Sequence, residues 1–593
     1  MDTSETTMYG WHGLPWRKLE RAVFKLQTRI YRASRQGDVE AVHKLQRLLI
    51  HSRSAAILAV RRVAQDNQGK RTAGVDGVAS LSGRKMLALA EEIHRLPLVS
   101  KAKPVRRVWI PKPGKDEKRP LGIPVMEDRA RQALAKMALE PEWEAKFEPT
   151  SFGFRPGRSC HDAVETIYRH MRAVSKYVLD ADIAKCFDRI NHEALLSKLG
   201  TFPSMRRAVR AWLKAGIMDG GELFPVTEGT PQGGVISPLL ANIALHGLAT
   251  AVEEAFPGMK YPNGRYGKPI PWKPVVVRYA DDFVILHRDF DALKQAQQVA
   301  ADWLKGMGLE MKPSKTRITH TLHEVDGPAG FEFLGFLFRQ YPRGKTRCIR
   351  NTNGDRVGFT SNIRPSPASQ KRFLEKVREM IRSNPNIPQL GLIRWLNPVL
   401  RGWGNYYSSA VSYDVFRKMD MHIYQKLWAW AMRRHPNKNR HWIARKYWLL
   451  GSHGWRFGVG KVWLNKLADI PHRRHIVVQR DRSPYDGDAL YWSRRMGAHP
   501  ELPRNLARLL RAQEGFCPGC GLFFKPGDQM KVVRRCACRT YGTPEQAVLV
   551  HEHCQDSPDV RSVMTTHHFT EEPDEGKLSR PVLKTSVNGD IHA

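Results

Sequence analysis

The sequence is short of acidic residues and has no long apolar run. Its 593 residues contain 58 Asp and Glu against 96 Lys and Arg, which gives a formal net charge of +38. No stretch reaches the roughly 18 apolar residues of a membrane span, and Met1 to Trp16 lacks the basic and apolar segments of a signal peptide. The cations interleave with Trp, Tyr and His. They predict a polyanionic partner, with nucleic acid favoured over membrane; a merely basic surface is the alternative.

Cysteine is also scarce, and it is unevenly placed. Three of the eight cysteines are scattered, whereas five lie near the C-terminus. In a large chain without a secretion signal, such clustering favours metal ligands over disulfides. Cys517 and Cys520 have the spacing of a zinc knuckle, and His551 and His553 are alternative sources of the second ligand pair. The predicted zinc ligands are Cys517, Cys520, Cys536, Cys538 and Cys554.

The length and the 41% hydrophobic content predict a folded chain of about three to five domains. From Trp16 to about Gln65, apolar residues recur at helical spacing. The polar face of this helical stretch is rich in Lys and Arg. It fits a solvated face and an RNA-contacting arm equally well.

Two β-branched apolar runs flank the tetrad Tyr279-Ala280-Asp281-Asp282. Each run has the length and composition of a strand, so the pattern predicts a hairpin with a two-residue acidic turn. Adjacent carboxylates repel unless a divalent cation lies between them. Mg²⁺ prefers carboxylate oxygens and substrate phosphates. The tetrad therefore indicates a metal site for nucleotidyl transfer, with a solvated acidic turn as the alternative.

The stretch 177–188 supplies a third carboxylate. Asp180 and Asp182 are two residues apart on a predicted strand, so both face one side. Asp182, nearer the strand end, is predicted to meet the hairpin turn. Three carboxylates for two divalent ions form the arrangement in which one metal activates a 3′-hydroxyl and the other holds a triphosphate. Phe187 would lie under the incoming sugar and exclude a 2′-hydroxyl.

Further polar residues complete the predicted dNTP site. Lys112 and Arg119 lie on a predicted hairpin over 105–124, where they would clamp a triphosphate or contact nucleic-acid backbone. Gln232 precedes a Gly-Gly turn that opens a helix, and its side chain is expected to form hydrogen bonds there. Lys315 would protonate the leaving pyrophosphate or bind phosphate.

Basic and glycine-rich stretches supply the predicted nucleic-acid contacts. The run 433–442 combines six basic-type side chains with an aromatic, which suits RNA backbone and unstacked bases. The loop 151–159 is rich in Gly, Arg and aromatic residues. The predicted nucleic-acid-binding residues are Arg155, Arg158, Gly233, Gly335, Arg433, Arg434, Lys438 and Arg440.

In this order the blocks resemble those of a reverse transcriptase. They are VWIPK (108–112), RPLGIP (119–124), SFGFRPGRS (151–159), LDADIAKCFDRINH (179–192), GTPQGGVISP (229–238), YADDF (279–283), KT (315–316) and FLGF (333–336). The basic helical prefix, GVDG (74–77), LNP (396–398) and RGWGNYY (401–407) resemble a group II intron-encoded reverse transcriptase/maturase. The resemblance covers about residues 16–510.

The resemblance implies an α+β multidomain protein with a right-hand polymerase fold. The implied domains are a basic helical extension over 1–60, fingers and palm over 61–365, an α-helical thumb and maturase X domain over 366–460, and a DNA-binding region over 461–510. It also implies site residues. Asp182, Ile183, Asp281 and Asp282 would bind two Mg²⁺ ions, Phe187 would act as the sugar gate, and Lys112 and Arg119 would contact the triphosphate.

The resemblance further implies an RNA-directed DNA polymerase that is also a maturase. Its expected partners are a group II intron RNA, a DNA target with a primer, and dNTPs. It would assist splicing and retrohoming by target-primed reverse transcription, as a ribonucleoprotein in a bacterial cytoplasm. The alternatives are a maturase with an idle polymerase, which the intact carboxylate set argues against, an RNA-dependent RNA polymerase, which Phe187 disfavours, and a related enzyme recruited to defence or repair.

Relatives of this kind usually carry an HNH endonuclease domain after these regions. Here 511–569 keeps the outline and loses the chemistry: Arg534 and Arg535 fall in the place of a Glu-x-His-His element, Gln546 replaces Asn, and Gln555 replaces His. Arginine accepts no proton at neutral pH. We therefore expect a degenerate HNH-like zinc domain without endonuclease activity and a disordered tail over 570–593. A rearranged site is the alternative, and its residues would be His551, His553, His567 and His568.

Overall fold

A computed structural model of the chain describes most of its residues. The described residues are 10–99, 101–111, 117–256, 273–344, 348–350, 354–451, 454–479, 481–535, 546–555, 557, 572–573 and 581–582. Lys112, Cys536 and Cys538, which are predicted site residues, lie outside them, as do His567 and His568. The chain divides into two compact units, Met1–Asp486 and Gly487–Ala593.

The first unit begins with three helices where one helical stretch was predicted. They are α1 (Trp16–Arg35), α2 (Val39–Ile50) and α3 (Arg53–Arg61). The stretch breaks first at Gly37, whose φ of +77° is left-handed and therefore suits glycine. Asp38 then caps α2 by accepting a hydrogen bond from the Ala41 backbone N–H at 2.9 Å. The buried faces of these helices join the largest apolar core of the unit.

A four-stranded sheet follows, with strand order β2-β1-β4-β5. The strands are β1 (Val105–Pro111), β2 (Lys118–Ile123), β4 (Ile217–Asp219) and β5 (Glu222–Phe224). β1 and β2 are antiparallel with Ile110 opposite Arg119, which confirms the hairpin predicted over 105–124. β4 adds to β1 in parallel.

A second four-stranded sheet, ordered β6-β7-β3-β8, carries the predicted carboxylates. Its strands are β3 (Tyr177–Asp182), β6 (Val275–Tyr279), β7 (Asp282–His287) and β8 (Arg317–His320). β7 pairs antiparallel with both β6 and β3. The predicted hairpin is therefore confirmed, but its turn differs from the prediction. Tyr279 pairs with Asp282, so the two loop residues are Ala280 and Asp281, and Asp282 begins β7.

Helices surround these two sheets. They are α4 (Gly83–Arg95), α5 (Met126–Glu144), α6 (Cys160–Met171), α7 (Cys186–Arg189), α8 (His192–Leu199), α9 (Pro203–Leu213), α10 (Ser237–Leu245), α11 (Leu248–Glu254) and α12 (Phe290–Lys305). Val276, Phe283 and Ile285 of the second sheet are buried in the same core as Leu293 and Leu304 of α12. This core fixes the strands that carry the acidic residues.

The rest of the first unit begins with a three-stranded sheet and continues as helices. The sheet contains β9 (Phe331–Phe333), β10 (Phe336–Pro342) and β11 (Phe359–Pro365). The helices are α13 (Pro367–Arg382), α14 (Gln389–Tyr407), α15 (Tyr413–Arg434) and α16 (Arg440–Tyr447), and the small sheet after them contains β12 (Trp448–Gly451), β13 (Gly454–Val459) and β14 (Val462–Trp463).

The second unit is small and mixed. It contains α17 (Ala489–Met496), α18 (Arg504–Ala512), β15 (Met530–Arg535) and β16 (Gln546–His551), with two-residue strands β17 (Glu572–Pro573) and β18 (Pro581–Val582). β15 and β16 form an antiparallel pair. Its apolar core includes Leu510, Leu549 and Cys554. Among the helices described in both units, none is long and apolar enough to cross a membrane.

Candidate functional site

The three predicted metal-binding carboxylates meet where the two central strands of the second sheet, β3 and β7, end beside the hairpin turn. Asp182 ends β3 and lies directly opposite Asp282, the first residue of β7. Asp281 precedes it in the hairpin turn. A cavity beside them is lined by Asp180, Asp182, Asp282 and Lys315. Asp180 points to the same side, but its Oδ2 pairs with the Nε of Arg317 at 3.4 Å.

Burial and mutual repulsion at these strand ends disfavour the charged form of the carboxyl groups. Burial, followed by the charges of Asp281 and Asp182, raises the pKa of Asp282 to about 7. Burial, with the charge of Asp182, also raises the pKa of Asp281, although a hydrogen bond to its own backbone N–H lowers it. Carboxylates forced together in this way are the hard oxygen donors that a divalent cation neutralises. The donor set therefore fits Mg²⁺.

Lys315 already supplies one positive charge to this cluster. Its ammonium pairs with the carboxylate of Asp182. Burial alone would lower the pKa of Lys315, but this hydrogen bond and the charges of the three acids raise it. Ile183, the other predicted ligand, has a hydrocarbon side chain that is buried, so only its main-chain carbonyl could bind a metal. A divalent ion on Asp182 would displace or reorient Lys315.

A second cavity in this unit brings together two of the predicted dNTP contacts. Phe187 and Gln232 both line it, and Arg107 and Lys185 add two cations. The Gln232 carbonyl accepts a hydrogen bond from the Gly122 N–H at 2.7 Å, which joins the turn to β2. Sequence reasoning missed Arg107, which lies in the predicted hairpin over 105–124, and Lys185, which lies inside the quoted block 179–192.

Arg119, the remaining described dNTP candidate, lies on exposed β2. Its positive charge reaches Asp281 and acts to lower the pKa of that carboxyl. The positive charge of Arg119 therefore acts on the carboxylate cluster, as expected of a residue that contacts the triphosphate there.

The loop after α5 supports the acidic turn from behind. A Cβ added at Gly153 would lie 2.2 Å from the backbone N of Ala280, so only glycine permits this approach. The carbonyl of Gly153 accepts a hydrogen bond from Asn242 Nδ2 at 2.8 Å. The Phe152 N–H donates to the Arg278 carbonyl at 3.0 Å. Sequence reasoning missed Asn242 and Arg278, although a lone arginine in the apolar run of β6 was a signal.

Arg155 was predicted to bind nucleic acid, and this prediction is wrong. Its side chain is 1% exposed and forms a bidentate salt bridge with Glu144. The distance from Nε to Oε1 is 2.8 Å, and the distance from Nη2 to Oε2 is 3.0 Å. Its Nη1 donates to the carbonyls of Glu148 and Ser151. The guanidinium therefore holds the loop to α5 and is inaccessible to a nucleic acid. A loop rich in Gly and Arg does not reveal such a partner eleven residues earlier.

Three other predicted nucleic-acid contacts have structural explanations of their own. Arg158 donates to the carbonyl of Pro149 at 2.9 Å. A Cβ at Gly233 would lie 2.7 Å from the Gly122 carbonyl oxygen, and a Cβ at Gly335 would lie 2.8 Å from the Tyr407 hydroxyl. Packing therefore accounts for both glycines, and their contact with nucleic acid remains a prediction.

The predicted cations over 433–442 are exposed. Arg433 and Arg434 end α15, where Arg434 lies over the Trp430 ring at 4.8 Å and donates to two backbone carbonyls. Lys438 lies 5.5 Å from the centre of the Trp442 ring. Arg440 begins α16. Cations beside aromatic rings on an exposed surface suit contact with phosphates and bases.

A Cys₃His group lies in the second unit. The donor atoms of Cys517, Cys520, His551 and Cys554 are all within 4.8 Å of one another. His551 Nδ1 lies 3.3 Å from Cys520 Sγ, and its Nε2 lies 3.1 Å from Asp528 Oδ2. A carboxylate behind a ligating histidine is a usual feature of zinc sites. Three predicted cysteines thus meet a histidine that the predicted ligand set left out, and the group fits Zn²⁺.

Three family profiles match successive parts of the chain. They are described as the N-terminal domain of reverse transcriptase, over residues 11–93, reverse transcriptase (RNA-dependent DNA polymerase), over 110–338, and the group II intron maturase-specific domain, over 370–448. The reverse transcriptase profile contains all three carboxylates and their strands. It is followed, as in the predicted order, by the maturase profile.

Similar proteins support the same conclusion. Protein YkfC of Escherichia coli is 34% identical over 337 residues, which cover 52% of this chain and 87% of that protein. Group II intron-encoded protein LtrA of Lactococcus lactis is 28% identical over 464 residues, covering 65% and 74%. Maturase-like protein 1 of Euglena gracilis is 26% identical, covering 68% and 79%.

The chain belongs to the group II intron-encoded reverse transcriptase/maturase family. It is an RNA-directed DNA polymerase and a splicing maturase. The reverse transcriptase domain implies a right-hand polymerase fold and the use of a divalent metal, and the two domains imply intron RNA, DNA and dNTPs as partners. The three profile matches end at residue 448, so the HNH interpretation of 511–569 remains a prediction.

Proposed function

We propose that Asp182, Asp281 and Asp282 hold two Mg²⁺ ions for DNA synthesis on an RNA template. The observation that carries this proposal is the register of β3 against β7, which sets Asp182 opposite Asp282 and beside Asp281. When bound, such ions activate the primer 3′-hydroxyl and neutralise the triphosphate. The chain itself contributes three carboxylates and Lys315, whose ammonium pairs with Asp182 and would bind a phosphate or protonate the leaving pyrophosphate once it releases that carboxylate.

The cavity around Phe187 is the proposed position of the incoming nucleotide. Phe187 presents a half-buried ring there, with Gln232, Arg107 and Lys185 around it. The Phe154 ring lies edge-on to the Phe187 ring, with 6.2 Å between the two ring centroids. An aromatic ring under the sugar leaves no room for a 2′-hydroxyl, so the enzyme would select deoxynucleotides.

Primer extension with dNTPs and rNTPs tests this assignment. Replacing Phe187 with alanine is expected to raise rNTP incorporation relative to dNTP by about tenfold or more, since the steric exclusion is lost. Phe154→Ala is the matched control, because it removes the neighbouring ring and leaves the gate residue in place. An unchanged rNTP to dNTP ratio in Phe187→Ala would remove Phe187 from the role of gate.

The proposed role of the chain in the cell is splicing and retrohoming of a group II intron by target-primed reverse transcription. The cations over 433–442 support intron RNA binding, since they are exposed and accompany aromatic rings. The proposed domains keep the predicted boundaries, with a DNA-binding region over 461–510. The RNA that copurifies with the protein identifies the intron; recovery of no specific RNA would count against the maturase assignment.

The stretch 511–569, which falls within the second unit, is proposed to be a zinc-stabilised domain of HNH-like descent without nuclease activity. Cys517, Cys520, His551 and Cys554 would bind one Zn²⁺. His551 would then be a ligand rather than a general base. The stretch that would carry the general base includes Arg534 and Arg535 on β15. A bottom-strand nicking assay tests this proposal, and Mg²⁺-dependent nicking abolished by His553→Ala would contradict it.

A further inference from the structure

The acidic turn between β6 and β7 contains a strained residue. Ala280 has a φ of +58°, a left-handed conformation that is unfavourable for a residue with a Cβ. The next residue is Asp281. Such a conformation persists only when its surroundings impose it. The neighbours of Ala280 therefore determine where the carboxylate of Asp281 points.

Arg278 is the side chain that contacts this turn from within the protein. It is 3% exposed, and its Nη1 donates both to the carbonyl oxygen of Ala280 at 3.1 Å and to Asn242 Oδ1 at 3.0 Å. The carbonyl of Ala280 belongs to the peptide group that leads into Asp281. A hydrogen bond to that oxygen fixes the orientation of the peptide plane, and with it the backbone angle at which Asp281 leaves the turn.

Asn242 holds Arg278 in place and connects it to the loop behind the turn. Its Oδ1 accepts from Arg278, while its Nδ2 donates to the Gly153 carbonyl at 2.8 Å. Gly153 in turn packs against the Ala280 backbone. Asn242 is 1% exposed and belongs to α10. A series of contacts therefore runs from Asn242 on α10, through Arg278 and Gly153, to the backbone of Ala280 in the turn.

The charge of Arg278 also acts on the site. Both of its hydrogen-bond acceptors are uncharged, so a buried cation is kept behind the carboxylates without a close counter-ion among its hydrogen-bond partners. Burial lowers its pKa to about 10, which leaves it charged at neutral pH. The carboxylates whose negative charges act on Arg278 are those of Glu148 and Asp281, and both raise its pKa. A neutral side chain of similar size would have filled the same space at less cost in desolvation.

We propose that Arg278, anchored by Asn242, is a positioning residue that orients Asp281 for metal binding through the Ala280 carbonyl. The inference rests on the proposed metal-binding role of Asp281. It assigns to Arg278 no contact with substrate. A residue that supports a metal ligand in this way typically changes metal affinity or activity by about 10- to 100-fold when replaced.

The test compares Arg278→Lys with two other variants. Lysine keeps the charge, but the ammonium on its flexible stem is not held where the planar guanidinium places Nη1, the atom that donates to both acceptors. Arg131→Lys is the matched control, because Arg131 is also buried and its partners are Glu127 and Glu92, away from the turn. Asn242→Ala keeps Arg278 but removes the side chain that anchors it. This variant tests the same inference if Arg278→Lys does not fold.

Two readouts separate positioning from a structural role. Mn²⁺ binding followed by electron paramagnetic resonance, without primer, template or dNTP, is expected to weaken about 10- to 100-fold in Arg278→Lys, and in the same direction in Asn242→Ala. The Mg²⁺ concentration for half-maximal primer extension should rise in parallel, while KM for dNTP changes by less than about threefold. Arg131→Lys should lower only the melting temperature.

Two outcomes overturn the inference. One is wild-type Mn²⁺ affinity in folded Arg278→Lys and Asn242→Ala. The other is an equal loss in Arg131→Lys, which would show a general effect of replacing a buried arginine. Failure of the proposed metal site is distinguishable, because Asp281→Ala would then bind Mn²⁺ as the wild type does.

Discussion

At the residue scale, Asp282 opposes the folding of the metal-free protein. Its pKa is about 7 against an ordinary value of 3.8, because of burial and then because of Asp281 and Asp182. The folded state therefore binds a proton more tightly than the unfolded state does. The stability of the metal-free protein falls as the pH rises from about 4 to about 7, and above that range the penalty is complete. Mg²⁺ binding would offset this penalty.

Asp282→Asn is therefore expected to stabilise the metal-free protein while abolishing primer extension. At pH 8 in EDTA the gain in free energy of unfolding should be about 2 to 4 kcal/mol, since each pKa unit corresponds to about 1.4 kcal/mol. At pH 4 the gain should disappear. Urea unfolding at both pH values measures it. The control is Asp302→Asn on the exposed face of α12, which should give no gain in stability. An Asp282→Asn protein no more stable than the wild type at pH 8 would contradict the prediction.

Sequence predicted the acidic residues better than the residues that hold them. Asp281 and Asp282 follow from a turn between two apolar strands, and Asp182 from strand periodicity. Arg278 and Arg155 were not predicted correctly because their partners lie far away in the chain or on another element. Asn242 is 36 residues before Arg278, and no local pattern reveals such a pair. Strand register also decided that Ala280, rather than Asp282, lies in the turn.

At the element scale, the β6–β7 hairpin depends on the loop that packs behind it. Gly153→Ala would place a Cβ 2.2 Å from the Ala280 nitrogen, which requires the turn to move. Because a displacement of about 1 Å at an active site costs about 100-fold in rate, primer extension should fall by that order. The circular dichroism spectrum should change little. Gly402→Ala in α14, where a Cβ meets nothing within 4 Å, should leave extension intact, and equal activity of both variants would contradict this role of Gly153.

The Cys₃His group is expected to hold the second unit together. Three thiols around one histidine cannot all ionise without a cation, and burial with the neighbouring thiols raises the pKa of Cys554 to about 12. Cys554→Ser should reduce the zinc content from about one ion per chain to near zero and expose 487–555 to protease. Zinc analysis and limited proteolysis measure this, with Cys348→Ser as the control. Full zinc retention would exclude Cys554 as a ligand.

Glycines explain two of the divisions within the predicted helices. The helical stretch over 16–65 is interrupted at Gly37, and the chain after the Gly-Gly turn forms α10 and α11, separated at Gly247 with a φ of +98°. Apolar periodicity continues across both breaks, so it could not locate them. Hairpins were predicted more reliably, because two β-branched runs around a short polar segment leave few alternatives.

At the scale of the whole molecule, the net charge of +38 governs association with RNA. Counterion release makes such binding strongly dependent on salt, and the affinity is expected to fall about 10³-fold or more between about 50 and 200 mM salt. Arg440→Gln should reduce the slope of log affinity against log salt by about 1 if Arg440 contacts a phosphate. Arg53→Gln, which removes an arginine paired with Glu91, is the control. Equal slopes in Arg440→Gln and the wild type would exclude that contact.

The order of blocks along the chain was the most informative feature for identifying the family. A reverse transcriptase profile followed by a maturase profile confirms that order. The boundary of the two compact units, after Asp486, falls inside the predicted DNA-binding region over 461–510. A basic, weakly periodic stretch contains no signal for such a boundary, because it reflects long-range packing rather than local composition.

The carboxylates at the β6–β7 turn are proposed to catalyse DNA synthesis. Primer extension on an RNA template with dNTPs and Mg²⁺ tests this proposal most directly, comparing the wild type, Asp281→Ala and the exposed control Asp302→Ala. If Asp281 binds the catalytic metal, the wild type and Asp302→Ala extend the primer, and Asp281→Ala gives only background. Equal extension by the wild type and Asp281→Ala, or no extension by either, would contradict it.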